Sequence, residues 1–192
     1  MKKSKYIGKK KPFYKNKQFF TYLIGIFIIM LMVLSVVNLN SDEEGAIEYN
    51  DLKFVASSSG YLAYNSDEEQ IIILTNPTEL LDLEIGSISL NSLSSLEKIY
   101  ISLNPNDDYQ NAIYDFSRNI PLPSQQVLSC YEDHEDCSDL PLKTCEDATE
   151  TIGIIIFKEN NETLLSFDDN CLTIQGKDLL KVTDKLILDQ NE

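Results

Sequence analysis

The chain has 192 residues, 43% of them hydrophobic, and a formal net charge of −15; this suits one compact domain with extensions rather than two full domains. Eight of the 16 basic residues lie between Lys2 and Lys17 and no acidic residue precedes Asp42, so residues 41–192 set eight basic side chains against 31 acidic ones, a net −23. That surface repels nucleic-acid phosphates and anionic lipid, which argues against both as ligands of the acidic part.

From Phe19 to Val37 the chain reads FFTYLIGIFIIMLMVLSVV, with no charged residue. A helix of that length reaches roughly 28 Å, close to the ~30 Å hydrocarbon core of a bilayer. Lysines before it and Asp42-Glu43-Glu44 after it place the N-terminal side in the cytoplasm. The expected organisation is a lysine-rich cytoplasmic tail over 1–18, a transmembrane signal-anchor helix over 19–39, a short acidic stalk over 40–50 and an exported domain over 51–192. A cleaved signal peptide has an apolar region of about 7–15 residues and a small-residue site, whereas this run is longer and ends VVNLNSDEEGA. No cysteine follows the run, as a lipoprotein requires, and no acid enters QFFTYLIGI, as a type IV pilin requires. Tyr6, Phe13, Tyr14 and Tyr22 are expected at the membrane interface, and the lysines beside anionic headgroups, at ~1 kcal/mol each.

Three strands are predicted next, Leu52–Ala56, Tyr61–Tyr64 and Gln70–Leu74, separated by Ser and Gly60 and by the polar run Asn65–Glu69. Asn76-Pro77-Thr78-Glu79 reads as the capped start of a short helix ending before Gly86. Lys98–Leu103 alternates as a strand. Asn106 then caps a helix with Asp107 and Asp108 in its first turn and Tyr109, Ala112, Ile113 and Phe116 as one buried stripe. Residues 120–150, with three prolines and three cysteines, show no period and read as an irregular excursion. Thr151–Lys158 is an apolar strand with Thr163–Phe167 as its hairpin partner, Cys171–Gln175 another strand, and Lys177–Leu188 a helix with Leu179, Val182, Leu186 and Ile187 inward. The fold class expected is an α/β (α+β) sandwich, a mixed sheet with covering helices, preceded by the membrane helix. First and last thirds both read as strands followed by a helix, which raises an internal duplication, although they share no residue pattern.

Cys130, Cys137, Cys145 and Cys171 all fall in the exported part. An even count there points to two disulfides. Of three connectivities, Cys130–Cys137 with Cys145–Cys171 is favoured: the first closes a small acidic loop, the second ties a loop to a strand. The spacing lacks the tight C-x2-4-C knuckle of a zinc site. Asn161-Glu162-Thr163 is an N-glycosylation sequon in a polar run between two strands, making Asn161 a candidate acceptor; Asn76-Pro77-Thr78 is excluded by its proline.

The densest cluster is Glu132, Asp133, His134, Glu135, Asp136 and Asp139. Oxygen-rich loops hold calcium, but this one has neither the spacing nor the glycine of an EF-hand, and reads as a solvated acidic loop. His134, the single histidine, has no G-x-S-x-G nucleophile to serve, and the cysteines are paired. There is no P-loop or Rossmann glycine pattern. No catalytic, metal or cofactor-binding residue is assigned and no cofactor is expected.

The segments EKIYISLNPNDDYQNAIYDF and TCEDATETIGIIIF…CLTIQGKDLLKVTDKLIL resemble those of uncharacterised single-pass, membrane-anchored exported α/β proteins of small-genome archaea. In these a cysteine precedes an apolar strand and a second opens the strand before a final helix, which Cys145 and Cys171 match. The resemblance implies the fold and the disulfides and no activity. The functional expectation is an envelope protein with a non-enzymatic exported binding or structural domain, whose partners are the membrane, through 19–39, and other envelope or membrane proteins. The alternatives are an accessory subunit of a membrane complex and an exported hydrolase or metal-dependent enzyme. Gly25 and Ser35 form no G-x-x-x-G, so helix-driven assembly has little sequence support.

Overall fold

The computed structural model describes residues 17–39 and 45–191. The lysine-rich tail up to Asn16, with Tyr6, Phe13 and Tyr14, lies outside the described residues, as do residues 40–44 of the expected stalk. The chain forms two units, divided between Glu44 and Gly45.

The first unit is one helix, α1 (Lys17–Leu39). Its described side chains run from Phe20 to Leu34, roughly 22 Å along the axis, and the large apolar ones, Phe20, Leu23, Phe27 and Leu31 among them, are all exposed. Among the described residues no helix is long and apolar enough to cross a membrane.

The second unit begins inside the expected stalk. Ile47–Tyr49 is strand β1, which turns at Asn50, in left-handed conformation with φ 48°, into β2 (Leu52–Ser57). Strands β3 (Gly60–Tyr64) and β4 (Gln70–Ile73) complete an antiparallel meander in the order β1-β2-β3-β4. Only glycine fits at position 60: φ is +122° and a Cβ there would lie 2.3 Å from the Ile73 carbonyl oxygen. The expected helix after Asn76 is a single 3-10 turn, Pro77–Leu80, with the Asn76 side chain accepting the Thr78 amide.

The rest is α/β. β5 (Lys98–Leu103) leads to α2 (Gln110–Asn119), then β6 (Gln125–Cys130), β7 (Ile152–Glu159), β8 (Leu164–Asp168), β9 (Cys171–Gly176) and α3 (Leu179–Asp189). The sheet order is β6-β5-β7-β9-β8, with β6, β5, β7 and β9 parallel and β8 antiparallel at the edge. Two sequence expectations are corrected. Residues 120–150 are not wholly irregular, because they contain β6; and β8 pairs with β9, not with β7. The β8–β9 link is the tight turn Asp169-Asn170, with φ values of 45° and 63°, which draws β9 in between. An antiparallel meander and a mainly parallel sheet are not copies of one unit, so the described residues show no duplication.

Alternation along the parallel strands sorts two faces. Ile99, Ile101, Ile155, Phe157, Leu172 and Ile174 pack with Ala112 and Phe116 of α2 and Leu179, Val182 and Leu186 of α3. Phe116 meets Phe157 edge-on with ring centroids 5.8 Å apart. The opposite face, with Tyr100, Ile154, Ile156 and Cys171, is covered by Tyr131 and Ala148 of the segment after β6. Beneath that segment Ser102 Oγ and Ser129 Oγ lie 2.7 Å apart, and Ser102 donates to the Lys143 carbonyl. The disulfide-bonded segment thus forms a third layer.

The free edge of β4 meets helix side chains. Asn119 accepts the Ile72 amide at 3.0 Å and donates to its carbonyl at 2.7 Å, as a neighbouring strand would. Asp115 accepts the Leu74 amide at 2.7 Å and Asp184 the Thr75 amide at 2.8 Å. An edge that would otherwise invite another chain is closed from within.

Candidate functional site at the carboxyl ends of the parallel strands

The four parallel strands end on one side of the sheet. β5 connects through α2 to β6 on its left, whereas β6 connects across to β7 on the right. The gap beyond the ends of β5 and β7 is therefore the topological switch point, where open α/β sheets place their ligands.

Asp107 organises this point. Its backbone amide donates to the Asn104 carbonyl, and its carboxylate oxygen accepts both the Tyr131 hydroxyl at 3.1 Å and the Glu159 amide at 3.0 Å. One carboxylate thereby ties together the chain leaving β5, β6 and β7. Burial, then the negative charge of Asp107 and the hydrogen bond to it, push the Tyr131 phenol well above its ordinary range, so it serves as a fixed donor. The Lys158 ammonium lies 5.7 Å from the centre of the Tyr131 ring. The two aspartates expected in the first turn of α2 sit ahead of it instead: the helix begins at Gln110 after Tyr109, and the Asp108 amide donates to Glu159.

Beside this hub opens a crevice of about 580 Å³ whose polar lining is Asp108, Asn111, Glu159, Lys177, Asp178 and Lys181. That volume is in the range of small-molecule sites. Asp178 caps α3 by accepting the Lys181 amide at 3.1 Å, and Lys181 pairs with Glu79 at 2.7 Å. The crevice offers both signs of charge, and among the described residues no cysteine, serine or histidine lines it.

The acidic loop is dispersed. Glu132 accepts from Asn104, and Glu135 and Asp136 open the 3-10 turn Glu135–Cys137. Among the described residues no three His, Cys, Asp or Glu side chains converge as metal ligands. His134 Nδ1 accepts the Asp136 amide at 3.1 Å, and its Nε2 lies 3.0 Å from the Asn106 side-chain amide nitrogen. The histidine is thus a turn cap.

The four cysteines pair as favoured from the sequence, Cys130–Cys137 with Cα atoms 6.2 Å apart and Cys145–Cys171 at 5.3 Å. Asp147 sets the start of the second bridge, accepting the Thr144 amide at 2.9 Å and pairing with Lys143 at 2.8 Å. These hold its carboxyl below the usual range, the Lys143 hydrogen bond first. Such bonds persist in oxidising compartments, so this unit is of the extracellular type. Asn161 lies apart from the crevice lining, exposed in the β7–β8 turn.

Sequence reasoning gave Asp107 only a place at the helix start and Lys177 only the start of the last helix, and passed over Tyr131 and Glu159 as site residues. The signal lay in strand order: had Gln125–Cys130 been read as a parallel neighbour of β5, the polar residues following each strand would have fallen at one edge. Comparison with protein-family models, with curated proteins and with solved structures finds no match to this chain.

Proposed function

We propose that the chain is a membrane-anchored envelope protein, with α1 in the bilayer, the lysine-rich tail in the cytoplasm and the disulfide-bonded α/β unit outside as a non-enzymatic binding module. The observation that carries this reading is the confinement of both disulfides to the acidic unit that follows α1, whose described side chains, Phe20 to Leu34, are uncharged with the large apolar ones exposed. The bonds need an oxidising side and the lysines favour the cytoplasmic one. By sequence, the 19 uncharged residues Phe19–Val37 have the length of a bilayer crossing.

The binding surface is assigned to the switch-point crevice. Asp107 and Tyr131 are engaged in holding strand ends together, while Lys177 forms no ion pair among the described residues. The reading as an accessory subunit shares this topology and differs in what α1 touches. Protease added to intact cells should digest residues 45–192 and leave the tail and α1 protected. A chain wholly protected in intact cells and cut only after lysis would overturn the proposal.

A further inference from the structure

We propose that Asn161 carries an N-linked glycan. The inference rests on the outward topology proposed above and adds a modification to it. Asn161-Glu162-Thr163 is the one N-x-S/T triplet without proline in the chain, and the fold treats it differently from its proline-bearing counterpart. There the Asn76 carboxamide is consumed, accepting the Thr78 amide at 3.1 Å and the Thr78 hydroxyl at 2.9 Å.

In the β7–β8 turn both groups that a sequon must offer are open. Asn161, Glu162 and Thr163 are exposed, and neither the Asn161 carboxamide nor the Thr163 hydroxyl takes part in a hydrogen bond among the described residues. Their surroundings are held by neighbouring bonds instead: the Asn160 backbone amide donates to the Gly176 carbonyl at 3.0 Å, and the Gln175 side-chain amide donates to the Glu162 carbonyl at 3.1 Å. The turn is pinned to β9 on both sides of Asn161 while its carboxamide stands in solvent. An attached sugar would displace no core contact. Thr163 also borders a cavity of about 300 Å³ formed with Lys177 and Lys181, so the glycan would stand next to the crevice assigned to binding.

The co-reactant is a lipid-phosphate-linked oligosaccharide on the outer side of the membrane, used by a membrane oligosaccharyltransferase. Asn161 Nδ2 forms a bond to the anomeric carbon as the carbon–oxygen bond to phosphate breaks. The lipid phosphate leaves with the electron pair, and Nδ2 loses one proton to a base.

The test is peptide mass mapping of the full chain isolated from the membranes of the organism that makes it. The peptide Glu159–Lys177 should carry added sugar mass at Asn161. Asn161→Gln and Thr163→Ala should abolish the shift, whereas Thr163→Ser and Asn160→Gln should keep it. A bare Asn161 in chains with both disulfides formed overturns the glycan and leaves the topology standing; a bare Asn161 with four free thiols overturns both. Sugar on a different asparagine, with Asn161 bare, also overturns the proposal.

Discussion

Asp184 on α3 and Asp115 on α2 each accept one backbone amide at the end of β4, that of Thr75 at 2.8 Å and that of Leu74 at 2.7 Å. Both side chains are fully buried, and burial raises both pKa values; for Asp115 the hydrogen bond with Asp184, the Leu74 amide and Arg118, 2.8 Å away, offset only part of that rise. Asp184, next to the Asp115 charge, is pushed up to about 8. A folded value above the unfolded one means stability that is complete below about pH 4 and is lost as pH rises toward 8. The expected outcome is that wild-type stability gains a downward slope over that window, on the order of a few kcal/mol in all. Asp184→Asn, neutral at every pH, should remove the slope in denaturant melts taken at several pH values.

Asp115→Asn is predicted to behave differently. It strips the partner from a largely buried guanidinium, and breaking such a pair costs roughly 3–5 kcal/mol. The loss should be present where Asp115 is ionised and shrink on acidification, because the raised Asp115 pKa discharges the pair there, and hydrogen exchange should find β4 opening first, because the Leu74 amide has lost its charged acceptor.

Phe116 is 0% exposed and packs edge-on against Phe157. Truncation to alanine should cost roughly 3–5 kcal/mol by equilibrium unfolding. A cost near that of a surface substitution would show that the face between α2 and the sheet is not the core.

The two disulfides should contribute unequally. Cys145–Cys171 spans 26 positions and Cys130–Cys137 spans 7, so chain entropy assigns them roughly 3.5 and roughly 2.4 kcal/mol. Cys145→Ser should therefore lower the melting temperature more than Cys130→Ser, and the larger loss should accompany exposure of Ile154 and Ile156, which lie under the bridged segment.

These effects were unevenly legible in the sequence. The stripes Ala112/Phe116 and Leu179/Val182/Leu186/Ile187 are buried as expected, because a helix period of 3.6 residues shows within one segment; Tyr109 and Ile113 are only partly buried. β5, β7 and β9 were legible from apolar runs. β6 was not: its outer edge position leaves Gln125, Gln126 and Leu128 exposed, and that weakens the pattern. β8 was found but given the wrong partner, since adjacency in sequence suggests a hairpin while the Asp169-Asn170 turn admits β9 instead. Nothing in the sequence singled out Asp115 and Asp184, because their partners are the Leu74 and Thr75 backbone amides at the end of β4, distant in sequence. The Asp107 hub was hidden for the same reason: it exists only once the parallel order is known.

Thiol trapping in acid-quenched cells, followed by non-reducing peptide mapping of the membrane-bound chain, tests the central claim of an exported, anchored, disulfide-bonded unit most directly. The account predicts no trapped thiol and two linked peptide pairs, Cys130 with Cys137 and Cys145 with Cys171. Four trapped thiols in the membrane-bound chain, or recovery of the chain only from the soluble fraction, would contradict it.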